Sequence, residues 1–138
     1  MAGSARILLL LAGCITAPMP MPTTGDAPEI SDFRARWPEF YATAKAALER
    51  QYHGREVAER SQLGAGRWRL VVRIDLDPTG ENQGCKLLRS SGFNALDDEA
   101  LDACRRVKDM LFPPEEAVEA DRRAHVPIQL VVEQNSTR

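Results

Sequence analysis

The sequence predicts an α+β domain in which two helices pack on one face of a three-stranded antiparallel or mixed sheet, built on a β-β-α-β core. Three observations predict it. Apolar residues alternate with polar ones over Arg67–Leu76 and again over Val126–Glu133, the period of half-buried strands. Leu96, Ala100, Leu101, Cys104 and Val107 recur at helical spacing between them. Trp37, Phe40, Tyr41, Ala44, Leu48 and Tyr52 do the same upstream.

The chain has 138 residues, room for one domain, and its 43% hydrophobic and 28% charged content is that of an ordinary globule. A net charge of −2 leaves no basic excess to neutralise phosphates, which argues against nucleic acid as a partner. No apolar run reaches the ~18–20 residues of a spanning helix.

Residues 1–13 differ from the rest. Arg6 is a positive lead, Ile7–Leu11 is an aliphatic run, and Leu11-Ala12-Gly13-Cys14 closes it with small residues and a thiol. This resembles the lipobox of bacterial lipoproteins, and the resemblance implies a lipid on Cys14, the new N-terminus after cleavage, and thus a bilayer as one partner. Residues 14–30, with Pro18, Pro20 and Pro22 alternating with methionines, read as a tether that can form neither helix nor central strand. The domain is expected over 31–134, with a tail at 135–138.

Ser31–Arg36 reads as a polar lead-in. Pro38 suits the first turn of a helix, because its missing N–H has no partner to lose there. The aromatic stripe that follows is core, and Gly54 is expected to stop the helix. Arg55–Gly66 is a polar connection with a short helical piece around Glu56–Arg60. The first strand carries Trp68, Leu70, Val72, Ile74 and Leu76 inward, with Arg67, Arg69, Val71, Arg73 and Asp75 outward. Asp77-Pro78-Thr79-Gly80 turns the chain, and Asn82–Arg89 returns as the second strand, Cys85 and Leu87 inward. Ser90-Ser91-Gly92 is a tight turn. Asn94 is expected to cap the following helix, which has Asp97, Asp98 and Glu99 at its positive end and Phe112-Pro113-Pro114 as its stop. Val126, Ile128, Leu130 and Val132 form the inner face of the third strand. Connection rules place strand one in the middle and strand three at an edge, where Pro127 is tolerated.

With Cys14 assigned to lipid, Cys85 and Cys104 remain. Both face the expected core from elements that pack together. They are either a disulfide of an oxidising compartment or two small buried hydrophobes.

The residues Val72-x-Ile74-x-Leu76-Asp77-Pro78-x-Gly80, Leu87-Leu88-Arg89-Ser90-Ser91-Gly92, Leu96-Asp97-x-x-Ala100-Leu101, Phe112-Pro113-Pro114 and Val126-Pro127-Ile128 are similar, as an ordered set over about half the chain, to the TonB C-terminal domain. The resemblance implies an α+β domain on the periplasmic face of a bacterial membrane. In TonB it grips an extended segment of an outer-membrane receptor by strand addition to the sheet edge and transmits force to it. Gly80, Ser90, Ser91, Gly92, Leu96, Asp97, Phe112, Pro113 and Pro114 are then structural motif positions. The residues themselves offer the same edge: Val126, Ile128, Gln129, Leu130, Val131, Val132 and Glu133 could accept a partner strand, from an outer-membrane receptor or from a second copy of the chain. The alternative function is a structural envelope lipoprotein that self-associates without energy transduction. TonB proteins also carry an inner-membrane helix and a long proline-rich span, so partner binding carries over better than transduction.

No catalytic site, metal site or cofactor is expected. His53 and His125 stand alone in sequence, and the calcium-loop-like Asp75-x-Asp77-x-Thr79-Gly80 has Lys86 where a bidentate glutamate belongs.

Overall fold

A computed structural model describes residues 27–108 and 112–135. Its elements are α1 (Pro28–Arg36), α2 (Pro38–Gln51), α3 (Gly54–Arg60), β1 (Gly66–Leu76), β2 (Asn82–Arg89), α4 (Asn94–Arg106), a 3₁₀ turn at Glu115–Ala117, and β3 (Ala124–Gln134). Cys14 and the other lipobox residues, and Pro18, Pro20 and Pro22, lie outside the described residues.

The α+β class and the strand order are as expected. One three-stranded sheet has the order β2-β1-β3 with both pairings antiparallel. The β1–β3 ladder runs unbroken from Gly66 opposite Gln134 to Leu76 opposite Ala124. The β1–β2 ladder slips between Val71 and Val72, setting Arg89 opposite Val71 and Leu87 opposite Val72. The extra residue is Leu88, which is exposed.

Leu70, Val72, Ile74 and Leu76 of β1 and Val126, Ile128, Leu130 and Val132 of β3 are buried on the inner face, the phase that the alternation predicts. α4 packs there over β1 and β2, and α3 packs against α4 and β3. Cys85 and Cys104 are disulfide-bonded, with Cα atoms 6.2 Å apart, tying β2 to α4.

The helices exceed the expected two, and they are not confined to one face. α1 begins at Pro28, inside the stretch read as tether, and Ala27, Ile30 and Phe33 are buried. It crosses the outer face. Glu29 pairs with Arg89, an outer-face residue of β2, at 3.0 Å, and Phe33 shares a hollow with His125 and Pro127 on the outer face of β3. Val71 and Gln129, two residues on the face expected to meet solvent, are buried, and α1 packs against β3 on that face. α2 then joins this outer layer to the inner one. Phe33 stacks at a tilt against Phe40 and Tyr41 near its start. At its end the Tyr52 hydroxyl donates to the Leu96 carbonyl of α4. A chain passing from one face to the other must round an edge, and α2 packs on β3.

Two terminators differ from expectation. Gly54 opens α3 instead of closing α2. A Cβ there would meet the Tyr52 ring at 2.4 Å, so glycine is required for close approach. α4 ends at Arg106, well before the prolines. The Asn82 amide donates to the carbonyls of Cys104 (2.9 Å) and Val107 (3.1 Å), supplying partners that a further helical turn would otherwise provide.

Candidate functional site: the edge of the sheet

Among the described residues β3 has a strand neighbour on one side only, apart from a single bridge between Val118 and Ala124 at its start. Its inner-face side chains are in the core, so what it can offer a partner is main chain and the outward residues. Pro127 fixes the direction of that main chain. An unbroken ladder holds a proline only where the missing N–H would point away from the paired strand. N–H and C=O of one residue point the same way in an antiparallel strand, so the alternation directs those of Gln129, Val131 and Glu133 away from β1 as well.

The two halves of this edge have different neighbours. Val126–Gln129 are all buried, and Pro127 there shares a hollow with Glu29, Asp32 and Phe33 of α1. Toward the end of β3, Leu130, Val131, Val132 and Glu133 border a groove of about 320 Å³ whose far wall is Glu49, Tyr52, Gly54 and Arg55 at the α2–α3 corner. Val131 is 37% exposed and Glu133 is exposed, whereas Gln129 is buried. Of the seven sequence-derived edge residues, the structure thus groups Leu130–Glu133 around one opening and packs Val126, Ile128 and Gln129 beneath helices. Burial pushes the Tyr52 phenol far above its usual range, assisted by Glu99 and Asp97, so it stays a neutral donor at the corner of the groove.

The corner is braced against α4. The His53 N–H donates to Glu99 Oε2, and the Arg106 guanidinium bonds Glu99 Oε2 at 2.9 Å and the Gln51 carbonyl at 2.7 Å. These contacts fix one wall of the groove to the helix that the disulfide fixes to the sheet.

The turn entering α4 shows why the motif residues are of these types. Asn94 does not cap the helix; Phe93 occupies the cap position, without a side-chain cap bond. Asp97, 5% exposed, instead reaches back. It accepts from the Ser90 hydroxyl, from the Ser91 N–H at 2.9 Å and from the Ser91 hydroxyl at 2.7 Å. Ser90 Oγ accepts the Gly92 N–H and Ser91 Oγ accepts the Phe93 N–H. Gly92 has φ +96°, open to glycine and strained for other residues. One buried carboxylate thus organises the turn through two hydroxyls. In the β1–β2 turn, Gly80 has φ +88°. Asp77 Oδ1 accepts from Thr79 N–H, Thr79 Oγ1 and Glu81 N–H, and these bonds hold its carboxyl below the usual range.

His125 is not isolated. Nδ1 meets Asp75 Oδ1 at 2.6 Å and Nε2 meets Asp121 Oδ2 at 2.8 Å. Burial alone would lower its pKa; the bonds to the two carboxylates outweigh that and raise it. Asp75 is also held by the Arg73 guanidinium at 2.8 Å. With both ring nitrogens engaged, this imidazole has none to offer a substrate. His53 is exposed beside Glu56 at 3.5 Å. Among the described residues no group of three or more His, Cys, Asp or Glu is arranged to hold a metal ion, and no helix is long and apolar enough to cross a membrane.

A family model described as the Gram-negative bacterial TonB protein C-terminal matches residues 67–135, half of the chain, from the first residues of β1 to the end of β3. The chain belongs to the TonB C-terminal family. That family is a transducer domain and not an enzyme family. The solution structure of the Helicobacter pylori TonB C-terminal domain (residues 179–285) superposes with a TM-score of 0.59 at 16% identity, covering 83% of this chain and 100% of that one. At that identity the likeness is one of fold, and it extends beyond the family match into the N-terminal helices. No curated protein matches the sequence.

Proposed function

We propose that the domain is a periplasmic protein-binding module serving TonB-type energy transduction. Lipid on Cys14 holds it on a membrane, and an extended segment of an outer-membrane partner adds to β3. The observation that carries the reading is the half-open edge: Val131 and Glu133 direct main-chain groups away from β1, beside a groove that no strand among the described residues occupies. A partner strand entering there would gain backbone hydrogen bonds along Leu130–Glu133. Toward Val126 the strand is buried residue by residue, so extending further requires its cover to move aside. Family membership supports transduction as the setting, and the Cys85–Cys104 bond suits an oxidising compartment.

The test uses the full chain as bait for solubilised outer-membrane proteins. Val131→Pro deletes one outward donor without touching the β1 ladder or the core, and Val131→Thr keeps the donor. V131P is expected to lose a captured receptor that V131T retains, and Cys14→Ala is expected to leave the membrane fraction. Equal capture by V131P and wild type refutes strand addition here; membrane association of C14A refutes the lipid anchor.

A further inference from the structure

The disulfide between β2 and α4 is reachable from one side. Cys104 is fully buried in the core, whereas Cys85 is half-buried and lines a hollow of about 510 Å³. The other walls of that hollow are the chain from Glu81 to Gly84, and Arg105, Val107 and Lys108 at and just past the end of α4. β2 is the second edge of the sheet, with β1 as its strand neighbour among the described residues. The space beside Cys85 is open: a Cβ on Gly84 would meet nothing within 4 Å.

A thiolate breaks a disulfide by attacking one of its two sulfurs, and access decides which. Here the hollow leads to Cys85 Sγ, and the buried Cys104 sulfur becomes the leaving group. Charge around the opening is positive on balance. Glu81 is opposed by Lys108 and by Arg105, whose guanidinium also bonds Asp102 at 2.9 Å. Lys86, the residue after Cys85, is exposed as well. Such an opening draws in an anionic nucleophile.

We propose that Cys85–Cys104 is an exchangeable disulfide, and that the hollow beside Cys85 admits a dithiol reductant whose reactive thiolate is flanked by acidic groups. The attacking thiol gives up its proton, and its sulfur bonds Cys85 Sγ as the bond to Cys104 breaks. The Cys104 sulfur leaves with the electron pair and takes up a proton, because a thiolate in that apolar site would be unsolvated. The second thiol of the reductant then attacks the first in the mixed disulfide, and Cys85 leaves as a thiolate. The dithiol ends as a disulfide, and Cys85 and Cys104 end as thiols. Reduction unties α4 from β2. Glu99 and Arg106 of α4 hold the α2–α3 corner, so the far wall of the edge groove then loses its covalent link to the sheet. The exchange at Cys85 does not depend on strand addition at β3.

The experiment exposes the full chain, in detergent and without denaturant, to glutathione, an anionic thiol standing for the first thiol of the reductant. Samples are acidified at intervals and alkylated with N-ethylmaleimide in denaturant. Peptide mapping by mass reads which cysteine carries glutathione and which the maleimide, with Cys14 read separately. Glutathione is expected on Cys85 and maleimide on Cys104, at a rate unchanged by low urea. Lys108→Glu should slow attack by glutathione several-fold at low salt, and slow attack by cysteamine less, because its ammonium offsets the thiolate. Glutathione divided between Cys85 and Cys104, or a rate that climbs with urea as unfolding does, marks a bond reached only in the unfolded chain and overturns the proposal. So does the absence of any adduct on the native protein. Equal effects of Lys108→Glu on the two thiols overturn the acidic reductant.

Discussion

Asp97→Ala should destabilise the domain by about 3 kcal/mol. The carboxylate is buried at 5% exposure and accepts three hydrogen bonds, from the Ser90 hydroxyl, the Ser91 N–H and the Ser91 hydroxyl. Bonds to a charged group contribute about 1.5–3 kcal/mol each when the donor is then left dry. Ser90 is exposed and regains water, so its share is small; Ser91 is half-buried and carries most of the loss. A further ~0.3–1 kcal/mol comes from removing a negative charge in the first turn of α4. For a domain of this size 3 kcal/mol corresponds to a fall in Tm of about 15 °C. Asp97→Asn keeps an acceptor but not the charge and should lose about half as much. Urea unfolding followed by circular dichroism measures it, and a double-mutant cycle with Ser91→Ala should return a coupling of more than ~1 kcal/mol. A loss under ~0.5 kcal/mol for D97A, or no coupling to Ser91, would refute the idea that this carboxylate organises the turn.

The Cys85–Cys104 bond closes a loop with sequence separation 19, so reduction, or replacing both cysteines by alanine, should lower unfolding stability by about 3 kcal/mol, read as a lower urea midpoint. His125 has its pKa raised by Asp75 and Asp121, so its contribution is fully present below the ordinary imidazole value and lost as pH rises through the folded value. Asp121 is held below its usual range by the bond to His125, so its share is lost as pH falls through that lowered value. Unfolding midpoints should therefore decline above about pH 6.5, and His125→Gln should flatten that decline; an unchanged slope contradicts the assignment.

Much of the fold was legible because its signals are local. The alternation in β1 and β3 and the helical stripe of α4 each mark one buried face, and Pro127 marked the edge. α1 was not legible. Its two buried apolar side chains, Ile30 and Phe33, are too few to set a period, and its partner is a sheet face that Arg67, Arg69 and Arg73 advertise as solvated. Val71 and Pro127 on that face were the available hints. Gly54 was misread because glycine after a helix usually signals a stop, whereas here the reason is the Tyr52 ring folding back on it. At the site, the sequence yielded the edge strand but not its division into a buried half and a half beside a groove. That division depends on how the helices pack around the strand, which no short-range pattern encodes. His125 looked solitary for the same reason: Asp75 reaches it across strands, fifty positions away.

Strand addition at β3 protects only the amides that point away from β1. Amide hydrogen exchange across Val126–Gln134, with and without a captured receptor segment, should show new protection at Val131 and Glu133 and none at Leu130 and Val132, which already face β1. Uniform protection along the strand, or protection confined to α4 or the outer face, would contradict strand addition at this edge.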